Sequence, residues 1–315
     1  MKKRLFLAFG VALLIPHAGL SQESLDFKPH NEPLVKQNPP KPNILMVLDT
    51  SGSMNGQDMR DENNRSTSRI AVLRKTVEDL LTRYRKDARI GFTTLGPRAS
   101  MHVTSGAHMD IDILKQPITD FSNMSDQQFE TYLKTKIRPA NETKQSLLHN
   151  PPNTNLTPLT FAIYEASKVL RGKPMIKSAN KNSRRKEDSR TAPITYRCQE
   201  QHMILMTDGD GYYDGLAAHD LVPGDPQTNL LVSDGRQRNV ALDYSKHTQF
   251  LWNLDLRTDA TFARNVDNAG KGWSSKGSKP MPIYFNAISF GSSVGAQSKK
   301  ILEKSVKPSN GIYVS

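Results

Sequence analysis

The chain has 315 residues, 43 Lys and Arg against 31 Asp and Glu for a formal net charge of +12, 36% hydrophobic residues and one cysteine. That length can bury the core of one large or two ordinary domains, while the low apolar share predicts long polar insertions around it. A single thiol, Cys198, excludes an internal disulfide framework.

Lys2-Lys3-Arg4, the apolar run Leu5 to Ile15 and the small residues Gly19 and Ser21 have the three parts of a secretory signal peptide. The run is too short to span a bilayer. No other stretch approaches its hydrophobicity, so residues 1–21 are read as cleaved, leaving an exported, still basic chain with no transmembrane segment. Residues 22–42, rich in Pro, Asn and Lys and without periodicity, read as an extended leader.

Five consecutive apolar residues, Ile44 to Leu48, predict a strand buried on both faces. It runs directly into Asp49, Ser51 and Ser53. In an open α/β sheet ligands bind beyond the carboxyl ends of the strands, and three hard oxygen groups on a small loop favour a hard divalent cation. Gly52 is expected to let that loop turn tightly enough for both hydroxyls to face one point.

Ile70, Leu73, Val77, Leu80, Leu81 and Tyr84 recur at three- and four-residue spacing, which predicts an amphipathic helix. Arg89 to Leu95 reads as the second strand, and the strand, helix, strand succession implies a right-handed parallel crossover. Met101 to Thr104 is a candidate edge strand. Ser125 to Ile137 reads as a helix, with Ser125 and Gln128 spaced for a capping box. Asn141 to Leu156 is a polar approach, expected over the top of the sheet, to an apolar-periodic helix opened by Thr157-Pro158-Leu159.

Between Arg171 and Arg190 eight Lys or Arg stand against Glu187 and Asp188. The stretch reads as a solvated, partly disordered loop, with attraction to anionic surface polymers as the sharper alternative. It has no aromatic residue to stack on bases, which argues against specific nucleic-acid binding. Cys198 reads as a partly buried thiol just before the strand Met203 to Thr207, which ends in Asp208 and Gly209. Asp210 to Pro282 reads as a long insertion with a helix near Asp255 to Asn268. A strand (Ile283 to Phe290), a helix (Ala296 to Val306) and a last strand (Gly311 to Val314) follow.

Asp49, Ser51 and Ser53 match the D-x-S-x-S signature of the von Willebrand factor A domain, and Thr157 and Asp208 stand in the order and flanking structure of its two other pieces. The chain therefore resembles that domain, whose metal-ion-dependent adhesion site these residues form. The resemblance implies an α/β fold, a doubly wound, mostly parallel sheet flanked by helices in the Rossmann-like manner. It spans 43–315, with insertions near 97–155, 172–197 and 210–282 and without the helix that usually closes the fold. The implied metal ligands are the hydroxyls of Ser51, Ser53 and Thr157, with Asp49 and Asp208 acting directly or through water. Mg2+, which keeps several waters in near-octahedral oxygen coordination, is the expected cation, with Mn2+ and Ca2+ as alternatives. Few direct carboxylates leave such an ion incompletely neutralised, so it should accept an acidic oxygen from a protein partner.

Asp208, Asp210 and Asp214 are spaced like part of a calcium loop, but the glycine and terminal glutamate are out of register, so a solvated turn is expected there. No H-E-x-x-H, G-x-S-x-G or Gly-rich phosphate loop with its Lys occurs, and no enzyme is expected. A serine hydrolase built on Ser51 or Ser53 is the lesser alternative, lacking a histidine nearby in sequence to act as base.

Three further details resemble the PilC family of type IV pilus tip-associated adhesins and biogenesis factors. They are Pro42-Asn-Ile-Leu-Met-Val-Leu-Asp49 soon after a signal peptide, Tyr164-Glu-Ala166 in the Thr157 helix, and Tyr196-Arg-Cys198-Gln199 before Thr207-Asp-Gly209. This resemblance implies export to the cell surface, outer membrane or pilus tip, and roles in pilus extension, twitching motility and host-cell attachment. Pilus subunits or a host-cell receptor are the implied partners. A sheet face left uncovered by the missing closing helix would be costly, so the chain is read as the front portion of a longer protein. Family members usually continue into a β-propeller with a calcium-binding loop, and only the metal-site residues are carried over to this chain. A general envelope scaffold of the same domain type, unconnected to pili, is the competing reading.

Overall fold

The computed structural model describes residues 39–95, 114–138, 157, 159–175, 190–209, 222–225, 244–274, 279–291 and 294–315. The signal peptide, most of the leader, the Met101 to Thr104 strand, residues 176–189 of the basic run, and Asp210 and Asp214 lie outside the described residues. In chain order the strands are β1 (Asn43–Leu48), β2 (Met59–Arg60), β3 (Ser66–Thr67), β4 (Arg89–Thr94), β5 (Leu114–Thr119), β6 (Gln201–Thr207), β7 (Ile283–Ser289) and β8 (Tyr313–Val314). The helices are α1 (Arg69–Tyr84), α2 (Asp126–Tyr132), α3 (Leu159–Arg171), α4 (Ser245–Asn253), the single turn α5 (Leu256–Asp259) and α6 (Ala296–Val306).

β1 pairs in parallel with β4 on one side and β6 on the other, β7 and β8 extend the β6 flank in parallel, and β5 closes the β4 flank antiparallel. The sheet order is β5-β4-β1-β6-β7-β8. Counting only these six strands along the chain, that is 3-2-1-4-5-6, the doubly wound order. The protein has this mostly parallel, doubly wound, Rossmann-like α/β fold, helices covering both faces. β2 and β3 form a separate two-stranded ribbon between β1 and α1.

Side chains alternate across a strand, so β1 feeds two cores. Met46 and Leu48 face α1, packing with Ile70, Leu73, Val77 and Leu81. Leu45 and Val47 face the opposite layer, where α3, α4 and α6 cover Met203, Leu205, Ile283, Phe285 and Ala287. At the amino edge of the sheet, the side chains of Asn43 and Gln201 hydrogen-bond at 3.0 Å, and Arg89 Nη1 donates to the Pro193 carbonyl at 2.7 Å. Among the described residues no helix is long and apolar enough to cross a membrane.

α3 is enclosed along its whole length, and all thirteen of its residues are buried, Glu165, Lys168 and Arg171 included. Buried charges persist only when paired, and these are. Lys168 Nζ lies 2.6 Å from Glu165, and Arg171 grips Asp225 and Asp259 with contacts of 2.6–3.1 Å. The Tyr164 hydroxyl donates to Asp225 at 2.8 Å. Part of the cover comes from the stretch read as an insertion, which contributes Tyr244, Leu251 and Leu256 to the α3 core. The same stretch holds both tryptophans, Trp252 edge-on to Tyr284 at 5.3 Å and Trp273 stacked on Phe262 at 3.7 Å.

Several expectations change. β5 is an unforeseen strand, because Pro117 interrupts its pattern; an edge tolerates the missing donor. The helix expected over Asp255 to Asn268 is instead α4 and the turn α5. Asp255 caps that turn, and Asp267 accepts from the backbone N–H groups of Ala269, Lys271 and Arg197, holding a loop. Arg171 belongs to the interior and not to a solvated loop, since paired acids from distant segments receive it. Cys198 is exposed, not partly buried. It lies in a turn before β6, where Gln199 N donates to the Tyr196 carbonyl at 3.1 Å, and it is Gln199 that turns inward, its Oε1 accepting from Thr195 N at 2.8 Å. Gly52 has no positive φ and simply starts a 3-10 turn, Gly52–Asn55.

The Ser125 helix forms as α2 and continues through a π-helical turn, Leu133–Ile137. Ser125 Oγ accepts from Gln128 N at 3.2 Å, and Gln128 Oε1 accepts from Ser125 N at 2.9 Å, the two halves of a capping box. Ser125→Ala is expected to cost about 1 kcal/mol, read as a lower urea midpoint at unchanged slope.

Candidate metal centre

The sheet order reverses between β1 and β6, and both strands end in an aspartate there. Leu48 and Met206 are register partners, which sets Asp49 beside Thr207 and Asp208. Asp49 N donates to the Met206 carbonyl at 2.8 Å. The Asp49 carboxylate is buried and fixed from two sides, Oδ1 accepting from Ser51 N at 2.8 Å and Oδ2 from Thr207 Oγ1 at 2.7 Å. The 3-10 turn that follows brings Ser51 Oγ and Ser53 Oγ to 2.9 Å, and Ser53 Oγ donates to Asp208 Oδ1 at 2.8 Å. Asp49, Ser51, Ser53 and Asp208 thus share one hydrogen-bonded cluster.

Thr157 is the fifth candidate. It is 7% exposed at the entrance to α3, and among the described residues its hydroxyl makes no hydrogen bond to that cluster. α3 packs on β1 and β4. The helix end lies at the amino edge of the sheet, because Gly172 abuts Ala192, and the next residue, Pro193, bonds Asn43 and Arg89, the first residues of β1 and β4. Thirteen helical residues span about 20 Å, as does a six-residue strand. The start of α3, and Thr157 with it, therefore lies toward the edge that carries Asp49.

Three further groups belong to the cluster. Thr207 holds Asp49. Arg69, in the first turn of α1 and 8% exposed, donates from Nη1 to Asp208 Oδ2 at 2.7 Å. Its Nε and Nη2 form a fork on Asp58 at 2.7 and 2.8 Å. These bonds hold the Arg69 guanidinium firmly protonated, that to Asp58 foremost. One signal for Arg69 was available in the sequence: a cation in the first helical turn opposes the macrodipole and needs a local anion.

Burial pushes the Asp49 carboxyl up to about 6, and the negative charge of Asp208 adds to the rise against the hydrogen bonds of Ser51 and Thr207. Two carboxylates held together in a dry place are the electrostatic condition that a divalent cation relieves. Among the described residues no three His, Cys, Asp or Glu side chains gather as a ligand group. The donors here are two carboxylates and serine hydroxyls, which fit a hard ion that retains its own waters better than a fully protein-caged one.

No protein-family model matches the sequence, and no curated protein matches it. Solved structures similar to it include a von Willebrand factor type A protein from Catenulispora acidiphila (12% identity, TM-score 0.36), covering 87% of this chain and 39% of that one. Others are the PilB minor pilin from Streptococcus sanguinis (13%, 0.40, covering 87% and 57%) and the adhesive tip pilin of Group B Streptococcus agalactiae (12%, 0.37, covering 87% and 60%). The chain thus spans between about two fifths and three fifths of the length of these proteins, and likenesses this distant carry no functional inference.

Proposed function

We propose that the chain is an exported, metal-dependent adhesion and assembly module of a type IV pilus system. It binds a protein partner through a divalent cation, Mg2+ by the chemistry of the donors, with Mn2+ or Ca2+ as substitutes. The observation that carries this reading is the junction of Asp49, Ser51, Ser53 and Asp208 at the strand ends where the sheet order reverses. Ser51, Ser53 and Thr157 would supply hydroxyl oxygens, and Asp49 and Asp208 would orient them and balance charge directly or through water. A bound ion supplies Lewis acidity toward one further oxygen, and an acidic side chain of a pilus subunit or host receptor is its natural donor. The pilus assignment and the surface location rest on the sequence resemblance to PilC proteins, and a binding rather than catalytic role rests on the lack of a recognisable catalytic motif in the sequence.

Millimolar Mg2+ is expected to raise the melting temperature of the wild-type chain, since a ligand at a hundred times its dissociation constant stabilises by about 2.7 kcal/mol. Asp49→Asn, which keeps the shape and removes the charge, should abolish that rise. In cells the same variant should lose pilus-dependent adherence. A wild-type chain whose melting is indifferent to Mg2+, Mn2+ and Ca2+ would overturn the reading.

A further inference from the structure

We propose that Arg69 is a built-in counter-cation of this centre, with Asp58 as its balancing anion, and that the pair sets how tightly the centre holds a divalent ion. The inference rests on the cation reading above. Arg69 is not an ordinary surface partner. It is buried at the positive end of α1, where the macrodipole disfavours it, and it is held by two carboxylates from two other segments. The loop after β7 is shaped around it: Gly291 has φ +81°, and a Cβ there would sit 2.7 Å from Arg69 Nε and 3.0 Å from Asp58 Oδ2. Three backbone segments and a helix start converge to keep one positive charge against Asp208.

The consequence for an incoming cation follows from the bonds. Asp208 Oδ2 is engaged by the guanidinium, while Oδ1 faces the serine hydroxyls. The formal charges of Asp49, Asp58, Asp208 and Arg69 leave two negative charges. Neutralising Arg69 leaves three, and neutralising Asp58 leaves one. Cation affinity should follow that order, because one unit charge beside a divalent ion matters even under strong screening.

Calorimetric titration of Mg2+ into the purified chain tests this. Arg69→Gln is expected to bind Mg2+ about tenfold more tightly than wild type, and Asp58→Asn about tenfold more weakly. Arg69→Lys, which keeps the charge, should stay within about threefold of wild type. A purely structural role would weaken binding in all three variants, so changes of one sign, or none, overturn the proposal. Should Arg69→Gln fail to fold, Arg69→Lys and Asp58→Asn decide together: a lysine variant near wild type beside a weaker asparagine variant supports the proposal, whereas weakening in both, or unchanged or tighter binding by Asp58→Asn, refutes it. Variants that all match a wild type which does bind Mg2+ refute this inference and leave the cation reading standing. Absence of binding by every protein overturns both.

Discussion

Arg171→Met is expected to lower the free energy of unfolding by about 3–5 kcal/mol, the loss seen when one partner is removed from a buried ion pair. Arg171 has a side chain only 1% exposed, against 5% for Asp225, so the carboxylate left behind could not recover its hydration. Methionine fills much of the volume, so the loss reports charge more than packing. A pH series separates the two. Burial alone would push the Asp225 carboxyl up; the hydrogen bond and charge of Arg171, with the Tyr164 hydroxyl, overcome this and hold it below the ordinary range. In the wild type Asp225 therefore contributes stability above its unfolded value, and that contribution is lost as pH falls. In the variant burial acts with less opposition, the folded carboxyl titrates above its unfolded value, and stability is lost as pH rises. The gap between the two proteins should be widest near neutrality and narrow toward pH 4. A gap independent of pH would mean that packing, not charge, is what Arg171 supplies. An exposed pair such as Lys75 and Asp79 should show less than about 0.5 kcal/mol when broken.

Gly172→Ala is the second large effect, expected at about 2–5 kcal/mol. Gly172 stands just past the end of α3 at φ +66°, and Lys173 N reaches back to the Lys168 carbonyl at 2.8 Å, the closure of a left-handed helix cap. A Cβ there would lie 2.5 Å from Ala192 N, 2.9 Å from the Thr261 carbonyl and 3.0 Å from the Arg190 carbonyl. All three are backbone atoms, two of them in the bond from Ala192 N to the Thr261 carbonyl, so no side chain can swing aside. Gly270 supplies the control. Its φ is +73°, but nothing lies within 4 Å of an added Cβ, so Gly270→Ala should cost only the backbone strain, about 1–2 kcal/mol. Thermal melts of the two variants side by side measure the steric part by difference. Equal losses would show that the segments around Gly172 give way easily.

The parts of the fold that were legible are those in which local pattern and tertiary demand agree. The unbroken apolar run of β1, the three-and-four spacing of α1 and the short apolar runs of β6 and β7 each announce an element that burial then uses in that form. β5 was not legible, because a proline in six residues argues against a strand and only an edge position excuses it. Neither was the enclosure of α3. Its period leaves one face for solvent, and what covers that face comes partly from residues some eighty positions downstream. In the cluster at the strand ends, Asp49, Ser51, Ser53 and Asp208 were legible because each sits at a fixed offset from an apolar run. Asp58 and Thr207 were not: a polar loop residue and a strand threonine have many uses, and only their proximity to Arg69 and Asp49 assigns them one.

The packing of residues 244–274 around α3 makes a dissection possible with no substitution at all. Both indoles reside in that cladding, so selectively excited tryptophan fluorescence reports on it and on its seat against β7, whereas far-ultraviolet ellipticity watches sheet and helices together. A melt followed by both signals therefore distinguishes a wrapper that peels away first from one that lets go only when the whole molecule does.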